Sequence, residues 1–167
     1  NVRRMIKNAV SNGARHALVG NIGHISLAKE AGLTLHADFR LNATNNATAA
    51  QLEAMGFEDI ILSPELSLPQ MRDIGGSAVS IVYGRLPLMT LEKCVGKEIA
   101  DCNACKNDAV VLVDRTNAQF PVLREYGHRS VVYNSLPTSM SDRQEELKKH
   151  GISAWHFIFS DESPKEC

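Results

Sequence analysis

Apolar side chains at positions 2, 5, 6, 9 and 10 recur at helical spacing. They predict a helix over Val2–Val10, closed by Asn12-Gly13. The pattern then tightens: Ala17-Leu18-Val19 is a compact apolar run stopped by Gly20-Asn21, and it predicts a buried strand. A second helix is expected over Ile22–Ala31, ending at Gly32, and a second strand over Leu33–Phe39. The alternation continues with a helix over Thr48–Met55 stopped by Gly56 and a strand over Asp59–Leu62 broken by Ser63-Pro64. A helix over Ser67–Ile74, ended by Gly75-Gly76, and a strand over Val79–Tyr83 complete the run. Strand, polar loop, helix and glycine recur roughly every 20 to 25 residues, the rhythm of βαβ units. Strands written as continuous apolar runs suit a parallel sheet covered on both faces.

The rhythm breaks at Gly84 and returns near Ser130. Between them, residues 86–128 read as a cysteine-bearing insertion: a metal knuckle, then a small β-hairpin made of Ala109–Asp114 and Phe120–Leu123 around the polar Arg115–Gln119. Ser130–Tyr133 is then expected as a fifth strand of the parallel series. Ser141–His150 is expected as a helix with Ser141 as N-cap and Gln144 near N3, and Ala154–Phe159 as a last strand. The fold class is α/β, with parallel strands in a single domain over 1–167. An open doubly wound sheet and a barrel both satisfy the pattern. Neither G-x-G-x-x-G nor G-x-x-x-x-G-K follows the first strand, so a nucleotide-binding sheet lacks its signature. A TIM-like (β/α)8 barrel missing its first two strands fits a chain that starts without Met on residues already patterned as structure. The expectation is therefore a partial barrel cut from a longer protein.

Composition narrows the function classes. A formal net charge of −1 and a pI of about 6.7 give no general attraction to nucleic acid or anionic membrane. Aromatics are 5% of the chain and not interleaved with basic residues, so no stacking platform for RNA is evident. No apolar run of about 18 residues predicts a membrane span, and no apolar segment of a signal peptide follows Asn1–Arg4. Cys94, Cys102 and Cys105 crowd together, with Cys167 terminal. That distribution fits metal binding in a reducing compartment, and so a cytoplasmic protein, better than a disulfide framework. There the sequons at Asn42 and Asn46 carry no meaning.

In parallel α/β folds the working loops follow the C-terminal ends of the strands. Asn21 follows the first strand, Asp38, Arg40, Asn42 and Asn45 the second, Glu65 the third, Arg85 the fourth, Asn134 the fifth, and Asp161 and Glu162 the last. Converging on one rim, they would form a polar pocket for a small anionic or peptide-like ligand. Asp38 and Glu65 are the candidate general acid or base. Arg40 and Arg85, each just after an apolar run, are candidate bidentate clamps for a carboxylate or phosphate, or members of structural ion pairs. Asn42 and Asn134 are further candidate substrate contacts. Cys94-x7-Cys102-x2-Cys105 offers three thiolates, and tetrahedral zinc or an iron–sulfur cluster takes a fourth ligand, for which His128 and Cys167 both qualify. His24, His36, His150 and His156 read as packing or surface residues. Neither H-E-x-x-H nor G-x-S-x-G occurs.

Several segments together resemble a known family. Asp38-Phe39-Arg40-Leu41-Asn42-Ala43-Thr44-Asn45, Leu62-Ser63-Pro64-Glu65-Leu66, Val82 to Met89, Asp114-Arg115 with Phe120-Pro121-Val122, and Tyr133-Asn134-Ser135 occur in that order. The chain is similar to the collagenase-like peptidase family U32 from about Gly13 to Glu162. The resemblance implies a barrel-like α/β fold, a peptidase acting on collagen or other proteins, and kinship with enzymes of RNA base hydroxylation and oxygen-independent hydroxylation, some with iron–sulfur clusters. The family's cysteine-rich signature block is not matched. Where related sequences place a Cys before an Arg–Ser pair, this chain has His128, which implies a Cys3His site and favours zinc.

Three readings follow. One is a hydrolase of protein or peptide substrates. Another is an RNA-modifying or redox enzyme with a cluster. The third is a non-catalytic segment with a zinc knuckle. A homodimer through exposed sheet edges is a further expectation.

Overall fold

The computed structural model describes residues 2–99, 110–125, 128–160 and 162–165. In chain order the first half runs α1 (Val2–Ser11), β1 (His16–Val19), α2 (Ile25–Glu30), β2 (Thr34–Ala37), α3 (Asn46–Ala54), β3 (Phe57–Ile61), α4 (Leu68–Ile74) and β4 (Ala78–Gly84). The second half runs β5 (Pro87–Leu91), α5 (Val95–Ile99), β6 (Val110–Val113), β7 (Gln119–Arg124), β8 (Ser130–Tyr133), β9 (Thr138–Ser139), α6 (Gln144–Lys149) and β10 (Ala154–Ile158). The chain divides into two compact units, one of residues 1–82 with 141–157, the other of 83–140 with 158–167.

The first unit is built on a sheet of order β1-β2-β3-β4-β10, in which β1 to β4 pair in parallel. This parallel sheet curls into a half-barrel. Its outer face carries Val19, Leu35, Ala37 and Ile60, all buried; α2 packs on β2 and α3 on β3. The helices meet that face with Ala28, Ala49 and Leu52, small or apolar residues that let helix and sheet approach closely. Gly32 and Gly56 end their helices at φ +72 and +82, a left-handed conformation that returns the chain to the next strand. A capping box of Ser67 and Gln70 starts α4.

The second unit holds an antiparallel sheet of order β5-β8-β7-β6. Ser130–Tyr133 was expected as a parallel core strand, and here the structure differs: β8 pairs antiparallel with both β5 and β7. A four-residue apolar run is buried by either arrangement, so its pattern does not fix its partner. β5 was not foreseen, because it opens on Pro87 and alternates little; Pro at the first residue of a strand is tolerated. The β6–β7 pair forms the edge of this sheet. The helix expected over Ser141–His150 is shorter. Ser141–Arg143 form a 3-10 turn, and α6 starts after Arg143, which makes no side-chain cap.

Among the described residues, no helix is long and apolar enough to cross a membrane.

Candidate functional site

The loops after β2 and β3 are built by side chains that satisfy backbone donors. Asp38, 4% exposed, follows β2. Its Oδ1 accepts from the Arg40 N–H at 3.0 Å, and its Oδ2 accepts from the Arg40 guanidinium at 3.0 Å. Its own N–H donates to the Val19 carbonyl at 3.0 Å, tying the loop to the end of β1. Arg40 keeps 56% of its side chain exposed. Asn42 stands in the left-handed conformation at φ 54, and its N–H donates to the Phe39 carbonyl. Asn45 caps α3 by accepting from the Thr48 N–H at 2.9 Å. Asn21 accepts from the Gly23 N–H at 2.8 Å. The Ser63 N–H donates to the Ala43 carbonyl at 3.1 Å, so the loops bearing Asn42 and Glu65 are stitched together. Glu65 is exposed.

In the second unit Arg85 and Asn134 meet. The Arg85 guanidinium donates to the carbonyls of Asn134 at 3.0 Å and Ser135 at 2.7 Å. The Asn134 side chain accepts from the Leu86 N–H at 2.8 Å and donates to the Leu136 carbonyl at 2.6 Å. This clasp joins the start of β5 to the end of β8. Cys94 and His128 line one hollow of about 380 Å³ together with Glu92, Lys93, Lys97 and Glu98. His128 holds φ 68 in the turn between β7 and β8. Cys102, Cys105, Cys167 and Asp161 lie outside the described residues. Glu162 accepts from the Tyr83 hydroxyl at 3.0 Å.

The structure thus pairs Asp38 with Arg40 and Arg85 with Asn134, and sets Cys94 and His128 on the wall of one hollow. It also assembles a group that the sequence reading passed over. On the inner face of the half-barrel, His36 Nδ1 lies 2.8 Å from Asp59 Oδ2, and His36 Nε2 lies 2.9 Å from His16 Nδ1. The carboxylate can only accept, so the neutral His36 ring carries its proton on Nδ1 and leaves Nε2 as an acceptor for His16. Glu58 belongs to the same group: one ligand atom each from His16, His36 and Glu58 all lie within 4.8 Å of one another. A concavity of about 410 Å³ opens beside them, walled by Leu18, Ile61, Val79, Ala154, Trp155 and His156. His16 opens β1 and His36 interrupts β2, and the parallel register sets them on the same face. That was the available signal, but it becomes readable only once the pairing register is known.

The model of Peptidase family U32 matches residues 1–156 of the chain. No curated protein and no solved structure matches it.

Proposed function

The chain belongs to peptidase family U32, and from that premise we propose that it serves a hydrolase of protein or peptide substrates, with recognition on the loops that follow its parallel strands. The family match over 1–156 carries this reading. The loop geometry supports a division of labour. Asp38 spends both oxygens on Arg40 and acts as the group that orients it. Arg40 then presents a half-open guanidinium suited to a carbonyl or carboxylate of a peptide. Glu65, exposed on its loop, serves in this reading as the carboxylate that activates water or protonates the leaving amine. Asn42 offers an amide on the same stitched pair of loops. Arg85 and Asn134 shape a further recognition loop through their clasp. A structural zinc on a Cys3His set is part of this reading: Cys94 and His128 line one hollow, and the sequence spacing offers Cys102 and Cys105 as the other two ligands.

Incubating the full chain with gelatin and an unstructured peptide tests the reading. Cleavage is expected, and Glu65→Gln should lower kcat/KM by about 10²–10⁴-fold with an unchanged circular dichroism spectrum. Intact substrates, or cleavage indifferent to Glu65, would refute it. The cysteine trio favours a second reading, an RNA-modifying or redox enzyme with an iron–sulfur cluster. Visible absorption of the anaerobically purified protein would select it over zinc.

A further inference from the structure

The geometry points to a divalent metal site on the inner face of the half-barrel, distinct from the cysteine set, with His16, His36 and Glu58 as ligands and zinc as the fitting ion. Three donors of compatible chemistry converge: two imidazole nitrogens 2.9 Å apart and a carboxylate within 4.8 Å of both. Two imidazoles with one carboxylate are a zinc donor set, and three protein ligands leave the fourth tetrahedral position open.

Two further observations point to a ligand and not to a chance cluster. The first is the outer partner of His36. Asp59 holds its Nδ1–H at 2.8 Å, which fixes the ring and directs Nε2 toward the other donors. A carboxylate behind a ligating histidine is the usual support of such a ligand. The second is the sheet itself. Leu35 faces Phe57 but His36 faces Asp59, so the register slips at Glu58. In a regular strand Glu58 and Asp59 would point to opposite faces. The irregularity lets both carboxylates serve the same pair of histidines, one as ligand and one behind it, the re-aiming that bulges provide near sites.

Binding requires the proton between the rings to move. His16 passes to its Nε2–H tautomer, which frees its Nδ1 lone pair for the metal. His16 and His36 also line the concavity of about 410 Å³, so a water or a small anion could reach a metal held there. The site stands apart from the peptidase reading: it needs only the metal, and either can fail without the other.

The test is zinc titration of the full chain, with zinc alone as probe and a competing chelator to read affinity. In a variant with Cys94, Cys102, Cys105 and Cys167 replaced by Ser, one equivalent should remain. It should be lost in His16→Ala/His36→Ala and weakened about 10–100-fold in Asp59→Asn. Cobalt in the thiol-free variant should give ligand-field bands without the sulfur charge-transfer absorption of a thiolate site. Should the thiol-free variant fail to fold, the wild-type chain serves: His16→Ala/His36→Ala should bind one equivalent fewer than wild type. Unchanged stoichiometry in the double histidine variant, or no zinc held by a folded thiol-free variant, would overturn the site.

Discussion

At Gly84 the backbone takes φ +131, and a Cβ there would collide with the carbonyl and side chain of Ile158. Neither demand can be met by an L side chain, and the obstructing atoms are mainly backbone, which cannot swing away. Gly84→Ala is expected to destabilise the protein by about 2–4 kcal/mol, the combined cost of a wrong φ and an overpacked contact. A lowered midpoint of urea unfolding would show it. A midpoint within error of wild type would mean that the end of β10 does not hold this approach. In the sequence Gly84 was legible as the point where the strand–helix rhythm breaks and as one letter of the run from Val82 to Met89. The chain that makes glycine obligatory there arrives more than seventy positions later. His36 shows the same limit from the other side. Its residue type and its place in a strand were legible, but its partners Asp59 and His16 come from two other strands. Asp38 was legible as a carboxylate following a strand and a candidate general acid or base, whereas its burial and its engagement with Arg40 are matters of packing and rotamers that no pattern encodes.

The β6–β7 hairpin depends on one carboxylate. Asp114 Oδ1 accepts from the Thr116 N–H and hydroxyl, each at 2.7 Å, and from the Ala118 N–H at 2.9 Å, while Asn117 turns the corner at φ 64. The Thr116 side chain first, then the backbone N–H groups of Ala118 and Thr116, hold its pKa below the ordinary aspartate range. A depressed folded pKa stabilises above the unfolded value and loses that contribution as pH falls through the folded one. The turn should therefore loosen in acid. Amide exchange at Thr116 and Ala118 should show protection falling on acidification in wild type and a flat response in Asp114→Asn, which keeps the acceptor but loses the charge. Identical profiles would exclude the carboxylate as the cause. Legibility at this scale followed burial. The parallel run β1 to β4, with its helices, was readable because each strand holds a short apolar run and each helix is followed by glycine. β5 and the true partners of β8 were not, since an antiparallel sheet of four- to six-residue strands is specified by pairing and only weakly by composition.

Each sheet of the molecule has outer strands, and their chemistry differs. β1 borders the parallel sheet, carries polar His16 and follows Arg15, which discourages another strand from adding there. β6 borders the antiparallel sheet, and among the described residues it pairs only with β7. Its sequence Val110-Val111-Leu112-Val113 has no charge and no proline, with Val111, Leu112 and Val113 at 38%, 39% and 60% exposure. An apolar edge with no second partner among the described residues is a template for another strand, and the strand we expect there is β6 of another copy, related by a two-fold axis. The chain is accordingly expected to self-associate with rising concentration, and Val113→Lys should abolish the association. Val113 is exposed, so its replacement should change folding stability by no more than about 0.5 kcal/mol. Loss of the dimer would then report the edge and not unfolding. Sedimentation velocity over a concentration series decides it: wild type shifts toward dimer while Val113→Lys stays monomeric. Equal association of the two proteins would move the contact elsewhere, and a wild type that is monomeric throughout would remove it.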